Sequence, residues 1–262
     1  MKYFGRRVEL TTDSIELTYP EITINFEINF SDDDEGNAGD ITLYNLSQDT
    51  IDQLKEGEAF KLVAGYKNYS GVILPGVIEA ARTMWEGVDK VTRLVVGEDT
   101  HKWLNRTVER TWNEGTDGET IAADIIEAIG LSVGEIDLPT NPEYPHGHTV
   151  FGRGKEQLKE IANDGGAKLH TNRGKVFLRP PEEPSEQAIR ITQDTGLINT
   201  PEKGEEEGET VWTVTTLLNY QIRADKLLQV ESRTLNADVR VKEGRHMFEG
   251  NQFETQSEVK PL

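Results

Sequence analysis

Between Ile22 and Phe30 apolar and polar residues alternate. Ile22, Ile24, Phe26, Ile28 and Phe30 share one face, and Thr23, Asn25, Glu27 and Asn29 the other. A period of two over this length predicts a half-buried strand. The polar, glycine-bearing run from Ser31 to Asp40 reads as an exposed loop, and Ile41–Leu46 as the returning strand. Ser47 is placed to cap a short helix with Ile51 and Leu54 on one face, ended by Gly57. Phe60–Tyr66 is a further strand. Gly71–Ala81 and Val91–Val96 are expected to pair across a turn at Trp85–Asp89. Together these predict a compact antiparallel domain of roughly 100 residues, a barrel or sandwich with one small helix.

The middle of the chain changes period. Thr116-Asp117-Gly118-Glu119 has the form of a capping box, with Thr and Glu satisfying each other's orphan amides. Ile121, Ala122, Ile125, Ile126 and Ile129 follow at helical spacing, and Gly130 stops the run. A Pro/His-rich loop, Pro139–His148, leads to a second helix from about Lys155 to Asp164, ended by Gly165-Gly166. Lys168-Leu169-His170 and Lys175–Leu178 predict a hairpin on Asn172-Arg173-Gly174. Pro180 to Glu186 reads as a linker, and a second β-unit spans about Ile189 to Leu262.

Four landmarks occur twice in the same order. An acidic loop (Asp32-Asp33-Asp34-Glu35; Glu205-Glu206-Glu207) precedes a strand (Ile41–Leu46; Val214–Tyr220). A Lys-Leu-aliphatic strand follows (Lys61-Leu62-Val63; Lys226-Leu227-Leu228). Each half then closes on Met-aromatic-Glu-Gly (Met84–Gly87; Met247–Gly250). Order rather than identity carries the repeat, and it predicts one β-domain used twice. Such a chain points to an assembly component.

Composition narrows the role. The 262 residues include 47 acidic and 28 basic ones, for a formal net charge of −19. That balance opposes a nucleic-acid grip and docking on an anionic membrane. There is no cysteine, so disulfide and thiolate chemistry are absent. The first twenty residues lack the apolar core of a secretory signal, and no stretch has the ~18 apolar residues of a membrane helix. The chain is expected to be soluble and made in the cytosol.

Candidate chemistry is sparse. His146-Gly147-His148 has a ligand-like spacing, but no third ligand is tied to it, and a Pro/Gly-rich surface loop explains it as well. Asp32-x-Asp34-x-Gly36 departs from a calcium loop at its later positions, where Asn37 and Leu43 stand instead of Gly and Glu. Acid pairs such as Glu156/Glu160 and Glu109/Glu114 are inevitable in so acidic a chain. Gly152-Arg153-Gly154 reads as helix entry, since the buried strand and third glycine of an anion loop are missing. No nucleophile elbow, phosphate loop or dinucleotide fingerprint is present. Trp85, Trp103, Trp112 and Trp212 are either sugar platforms or, as is usual in β-domains, core and interface residues. Trp85, at a hairpin tip, is the candidate for packing on a neighbouring subunit.

The segments Asp40-Ile-Thr-Leu-Tyr-Asn-Leu-Ser47, Gly57-Glu58 with Leu62-Val-Ala-Gly-Tyr66, Gly71-Val-Ile-Leu-Pro-Gly76, Thr216-Leu-Leu-Asn219, and Phe253-Glu-Thr with Glu258-Val-Lys-Pro261 resemble the central hub proteins of bacteriophage and prophage tails. That family includes late-control protein D and the baseplate hubs of contractile tails. The resemblance implies an α+β, mainly β fold: two tail-tube-like antiparallel β-barrels joined by a small α/β middle domain. The expected domains are 1–100, the first barrel; 101–186, with helices at about 119–129 and 155–164 and a hairpin at 167–179; and 187–262, the second barrel. It implies a homotrimeric ring adapting a sixfold tail tube to a threefold spike or tip in the virion tail. Its partners are then the tube, the spike or tip, and other baseplate proteins, with no cofactor, metal, membrane or specific nucleic-acid binding. The chain stops soon after the second β-unit without a visible cell-wall hydrolase segment, so no enzymatic role is expected. The alternatives are a carbohydrate- or host-surface-binding module of a tail tip, and a tail-associated hydrolase.

A tail passes DNA through its channel, and a carboxylate-lined wall would repel phosphate and keep DNA from sticking. Asp32, Asp33, Asp34, Glu35, Glu205, Glu206 and Glu207 are therefore interface or lumen candidates beside Trp85. The alternative is that both loops are solvated tips.

Overall fold

A computed structural model describes residues 3–32, 36–98, 103, 105–181, 185–206 and 208–262. The chain divides into two compact units. One comprises Met1–Ser31, Asn37–Glu98 and Pro184–Leu262; the other comprises Asp32–Gly36 and Asp99–Glu183. The fold is mainly β with few helices.

The first half of the first unit contains β1 (Arg6–Thr12), β2 (Glu16–Thr18), β3 (Ile24–Ser31), β4 (Ala38–Tyr44), α1 (Gln48–Ile51), β5 (Ala59–Tyr66), β6 (Tyr69–Glu86) and β7 (Asp89–Gly97). The alternation in β3 works as the sequence requires. Ile24, Phe26, Ile28 and Phe30 are buried while Glu27 and Asn29 are exposed. Ser47 caps α1, accepting the Thr50 amide at 3.1 Å. The helix ends at Ile51, well before Gly57, which instead takes a positive φ of 83° in the turn ahead of β5.

The second unit contains β8 (Thr107–Trp112), β9 (Thr116–Asp117), α2 (Gly118–Ala128), β10 (Ser132–Ile136), β11 (Glu143–Tyr144), β12 (His148–Arg153), α3 (Gly154–Gly165), β13 (Lys168–Asn172) and β14 (Lys175–Arg179). Ile121 and Ile125 of α2 share a core with Leu158 and Ile161 of α3, Leu169 of β13 and Val176 of β14. The order β10-β14-β13 forms a small mixed sheet. The cap of α2 differs from the expected box. Asp117, not Thr116, accepts the Thr120 amide, at 2.9 Å. Thr116 is held in β9 opposite Tyr144, and its hydroxyl donates to the Asn113 carbonyl at 2.8 Å.

The second half of the first unit contains β15 (Ser185–Ile191), β16 (Glu202–Glu206), β17 (Glu209–Leu217), β18 (Lys226–Glu231), β19 (Asn236–Glu249) and β20 (Gln252–Pro261). Its hydrogen-bonded order, β16-β17-β20-β19-β18-β15, repeats the first half's β3-β4-β7-β6-β5-β1 strand for strand. The match extends to register. In the hairpin of β6 and β7 a bulge at Glu79 precedes Met84, and in that of β19 and β20 a bulge at Lys242 precedes Met247, at the same spacing. Two details diverge. β1 is antiparallel to β5, whereas β15 is parallel to β18. Lys61 and Lys226 lie in equivalent strands but not at equivalent positions, since pairing sets Ala59 opposite Val77 and Leu227 opposite Arg240.

One antiparallel pairing, β3 with β19, fuses the two halves into a single sheet. Side chains cross the junction in both directions. Leu218, Phe248 and Phe253 enter the first core, and Phe30 enters the second. Phe30 crosses so closely that a Cβ on Gly244 would lie 2.6 Å from its ring.

Candidate assembly surfaces

The hairpin of β6 and β7 ends in an apolar tip. Met84, Trp85 and Val88 are 42%, 68% and 89% exposed. The Lys90 ammonium, directly across the hairpin, lies 5.7 Å from the Trp85 ring centroid. An indole left in water at this degree of exposure is the kind of group that interfaces use as an anchor. The other tryptophans are placed differently. Trp103 and Trp112 are buried, the latter donating to Asp124 at 2.8 Å, and Trp212 is half-buried against the second core. They form no exposed row on which a sugar would stack.

The acidic candidates separate. Asp32 is 2% exposed and pairs with the Lys168 ammonium at 2.6 Å within the second unit, so it is withdrawn from solvent. Asp33, Asp34, Glu35 and Glu207 lie outside the described residues. Glu205 is exposed in β16, opposite Thr210. Glu206 reaches the Lys242 ammonium, which also lies 3.6 Å from Glu258. Lys260 similarly binds Glu209. The Lys242 hydrogen bond holds the Glu206 carboxyl below its ordinary range. Burial, and then the nearby negative charge of Glu206, push Glu258 up.

Sequence reasoning sought the excess acid in loops, but much of it stands on a strand face. The side of the sheet away from the cores carries Glu27, Asp40, Glu243, Glu254 and Glu258, and Glu27, Glu254 and Glu258 each stand between two buried neighbours. Arg245 lies 3.5 Å from Glu27 on that face and offsets part of the charge. For Glu27 the signal was legible as alternation, because a carboxylate between buried Phe26 and Ile28 must point away from the core.

His148 packs at a tilt of 42° against Tyr144, with ring centroids 4.4 Å apart, and its ring centroid lies 6.3 Å from that of Trp112. Among the described residues no group of three or more His, Cys, Asp or Glu side chains is placed to hold a metal ion. No described helix is long and apolar enough to cross a membrane. An open groove of about 500 Å³ lies in the first unit along Gln193, Leu197, Ile198, Thr200 and Arg233.

By sequence, no family model and no curated protein matches the chain. By structure it is similar to the tail protein of Neisseria meningitidis MC58, with a TM-score of 0.71 and 11% identity over 98% of this chain and 97% of that one. It is similar to the prophage MuSo2 43 kDa tail protein of Shewanella oneidensis, with a TM-score of 0.73 and 10% identity over 98% and 97%. It is also similar to the E. coli c3393 protein, a type VI secretion component described as resembling T4 tail proteins gp27 and gp5, with a TM-score of 0.65 and 10% identity over 97% and 76%. The fold is thus that of phage-type tail proteins, found across nearly the full chain.

Proposed function

We propose that the chain is a structural hub of a phage or phage-like tail. Three copies form a ring whose halves act as tail-tube-like β-barrels, with residues 101–186 as an appended α/β domain. The ring matches a sixfold tube on one side and a threefold spike or tip on the other. The observation that carries this reading is the duplicated connectivity, matched to the position of a bulge, within a fold shared with tail proteins. Two equivalent barrels per chain let a threefold ring present six equivalent docking surfaces, which a single barrel per chain cannot do. The role is structural rather than catalytic, and its place is the tail of the particle.

In such a ring the acidic sheet face lines the channel. Fixed carboxylates there keep the wall from releasing counterions off DNA and holding it. Native mass measurement on the purified chain, at rising concentration, tests the ring: trimers are expected, and dimers as the end state would sink it. Band-shift titration with duplex DNA at low salt tests the channel. The wild type is expected not to bind, and a Glu27→Lys/Glu254→Lys/Glu258→Lys chain is expected to bind. Retention of DNA by the wild-type ring would contradict an acidic wall.

A further inference from the structure

The pairing that fuses the two halves has an unfilled twin. On its edge away from β20, β19 pairs first with β18, through Asn236–Arg240, and then with β3, through Glu243–Phe248. In the first half β6 is the equivalent strand. On its edge away from β7 it pairs with β5 as far as Val77. Among the described residues no strand lies against Ala80–Glu86 on that edge. The equivalent of β3 is β16, whose described pairing is with β17 alone. These two open edges end opposite sides of the run β16-β17-β20-β19-β3-β4-β7-β6. Open edges of this kind are templates for another chain.

We propose that the Ala80–Trp85 edge of one copy pairs antiparallel with Pro201–Glu206 of a second copy, in the register of β3 with β19. The alignment follows from the repeat. β6 and β19 superpose through their bulges and tips. β3 and β16 superpose through Phe26 opposite Ile41 and the extension of β16 opposite Val214. Carrying the observed register across sets Ala80 opposite Glu206, Arg82 opposite Gly204, Met84 opposite Glu202 and Trp85 opposite Pro201.

The side chains at these positions fit. Arg245 and Glu27, 3.5 Å apart in the internal seam, become Arg82 and Glu202, so the charge pair is kept. The contact of Phe248 with Phe26 becomes Trp85 against Pro201. The hydrogen bond of His246 to Thr255 has its counterpart already in place as Thr83 to Thr92, at 2.9 Å. The groove of about 500 Å³ reaches Thr200, one residue before Pro201, and its wall includes Ile198, which is 42% exposed. It is the seat for the Trp85 indole.

One difference sets the strength of the seam. Where β3 presents Ile28 and Phe30, β16 presents Lys203 and Glu205. Charges on an edge strand keep a free chain from stacking indiscriminately. They also make the contact between copies weaker and more salt-sensitive than the internal one. The contact is head-to-tail, so it closes only when the rotation divides the circle. Because the internal and external seams share one register, every half meets the next in the same way. The proposal rests on the ring reading above and specifies its seam.

The chain has no cysteine, so introduced pairs report cleanly. Residues directly opposite in antiparallel strands have Cβ atoms about 4.5–5.5 Å apart, within adjustment of a disulfide. Glu27→Cys/Met247→Cys samples the internal seam and should close within the monomer. Met84→Cys/Glu202→Cys samples the same geometry between copies and should give, on oxidation, a ladder ending at a covalent trimer. Met84→Cys/Lys203→Cys, whose side chains point to opposite faces, should give none. Adding Trp85→Ala should remove most of the ladder. A native trimer that yields no ladder while the internal control closes overturns the pairing and leaves the ring standing. A chain that stays monomeric up to millimolar concentration, without a ladder, overturns both.

Discussion

The hairpins that close the two halves carry nearly the same four residues and meet opposite fates. Phe248 in Met-Phe-Glu-Gly is 3% exposed, packed edge-on against Tyr19 and Phe253 with the Arg6 guanidinium 5.3 Å from its ring centroid. Trp85 in Met-Trp-Glu-Gly is 68% exposed. The strands, bulges and turns are equivalent, so local structure does not separate them. What separates them is the strand alongside: β3 flanks β19, and no described strand flanks the same stretch of β6. Burial within a repeat is thus decided by the strand alongside.

The sharpest way to break the comparison is to truncate both aromatics. Phe248→Ala removes a buried ring and is expected to cost about 3–5 kcal/mol. Trp85→Ala should change the stability of the isolated chain by less than about 1 kcal/mol, the range of an exposed site with a cation–π contact. Urea unfolding of both variants checks this, and equal losses would mean that the tips are not in different environments.

A second contrast lies at equivalent positions of β6 and β19. The second half buries an ion pair, Arg240 with Asp225 at 2.6 Å, where the first half sets Val77 opposite Ala59. Arg240→Ala leaves a buried carboxylate and is expected to cost about 3–5 kcal/mol, whereas Val77→Ala should cost far less. A small effect of Arg240→Ala on the urea midpoint would show that water reaches the pair. Across the junction, Gly71 sits under Tyr220, whose ring a Cβ would approach to 2.4 Å. Gly71→Ala should cost about 1–3 kcal/mol by crowding. Its cost should be smaller in a Tyr220→Ala background, since contacting sites are not additive.

In the second unit, Asp117→Ala should cost about 1 kcal/mol, the worth of a helix cap. The hydrogen bond from the Thr120 amide, more than that from the Thr120 hydroxyl, holds this carboxyl below its usual range. Its contribution is therefore present above the ordinary aspartate range and lost as pH falls through the lowered native value. An acid titration in which Asp117→Ala and wild type lose stability in parallel would contradict this. The smallest effect concerns Lys242. Glu206 is lowered and Glu258 raised, so pH acts on them with opposite signs. The Glu206 contribution is lost on acidification, and the strain at Glu258 is relieved by it. Carboxyl NMR should find the two midpoints on either side of an ordinary glutamate, with Glu206 moving up in Lys242→Met.

Much of the fold was legible. The alternation of Ile24–Phe30 fixed which face of β3 is buried, and the isoleucine spacing after Asp117 placed α2 within a residue of its bounds. The order of the landmarks foretold the shared connectivity. Other elements were not legible. β1 carries only two buried apolar residues, Val8 and Leu10, among Arg6, Arg7, Glu9 and two threonines, so little apolar signal marks it. The tripled acids drew attention to loops, although Asp32 is buried against Lys168 and the acid facing away from the cores is spread over strands. Nothing local could have linked Glu27 to Arg245, which lie far apart in sequence and meet only through the pairing of β3 with β19.

The amino-acid order alone determined the periodicities and the absence of thiol chemistry, since each depends on residues a few positions apart or on a count. Tertiary structure alone decided which of two matching aromatic tips is covered, which carboxylates share a face, and which edges are left open. Those outcomes depend on contacts between distant segments, and a contact of that kind leaves no periodic trace in either segment.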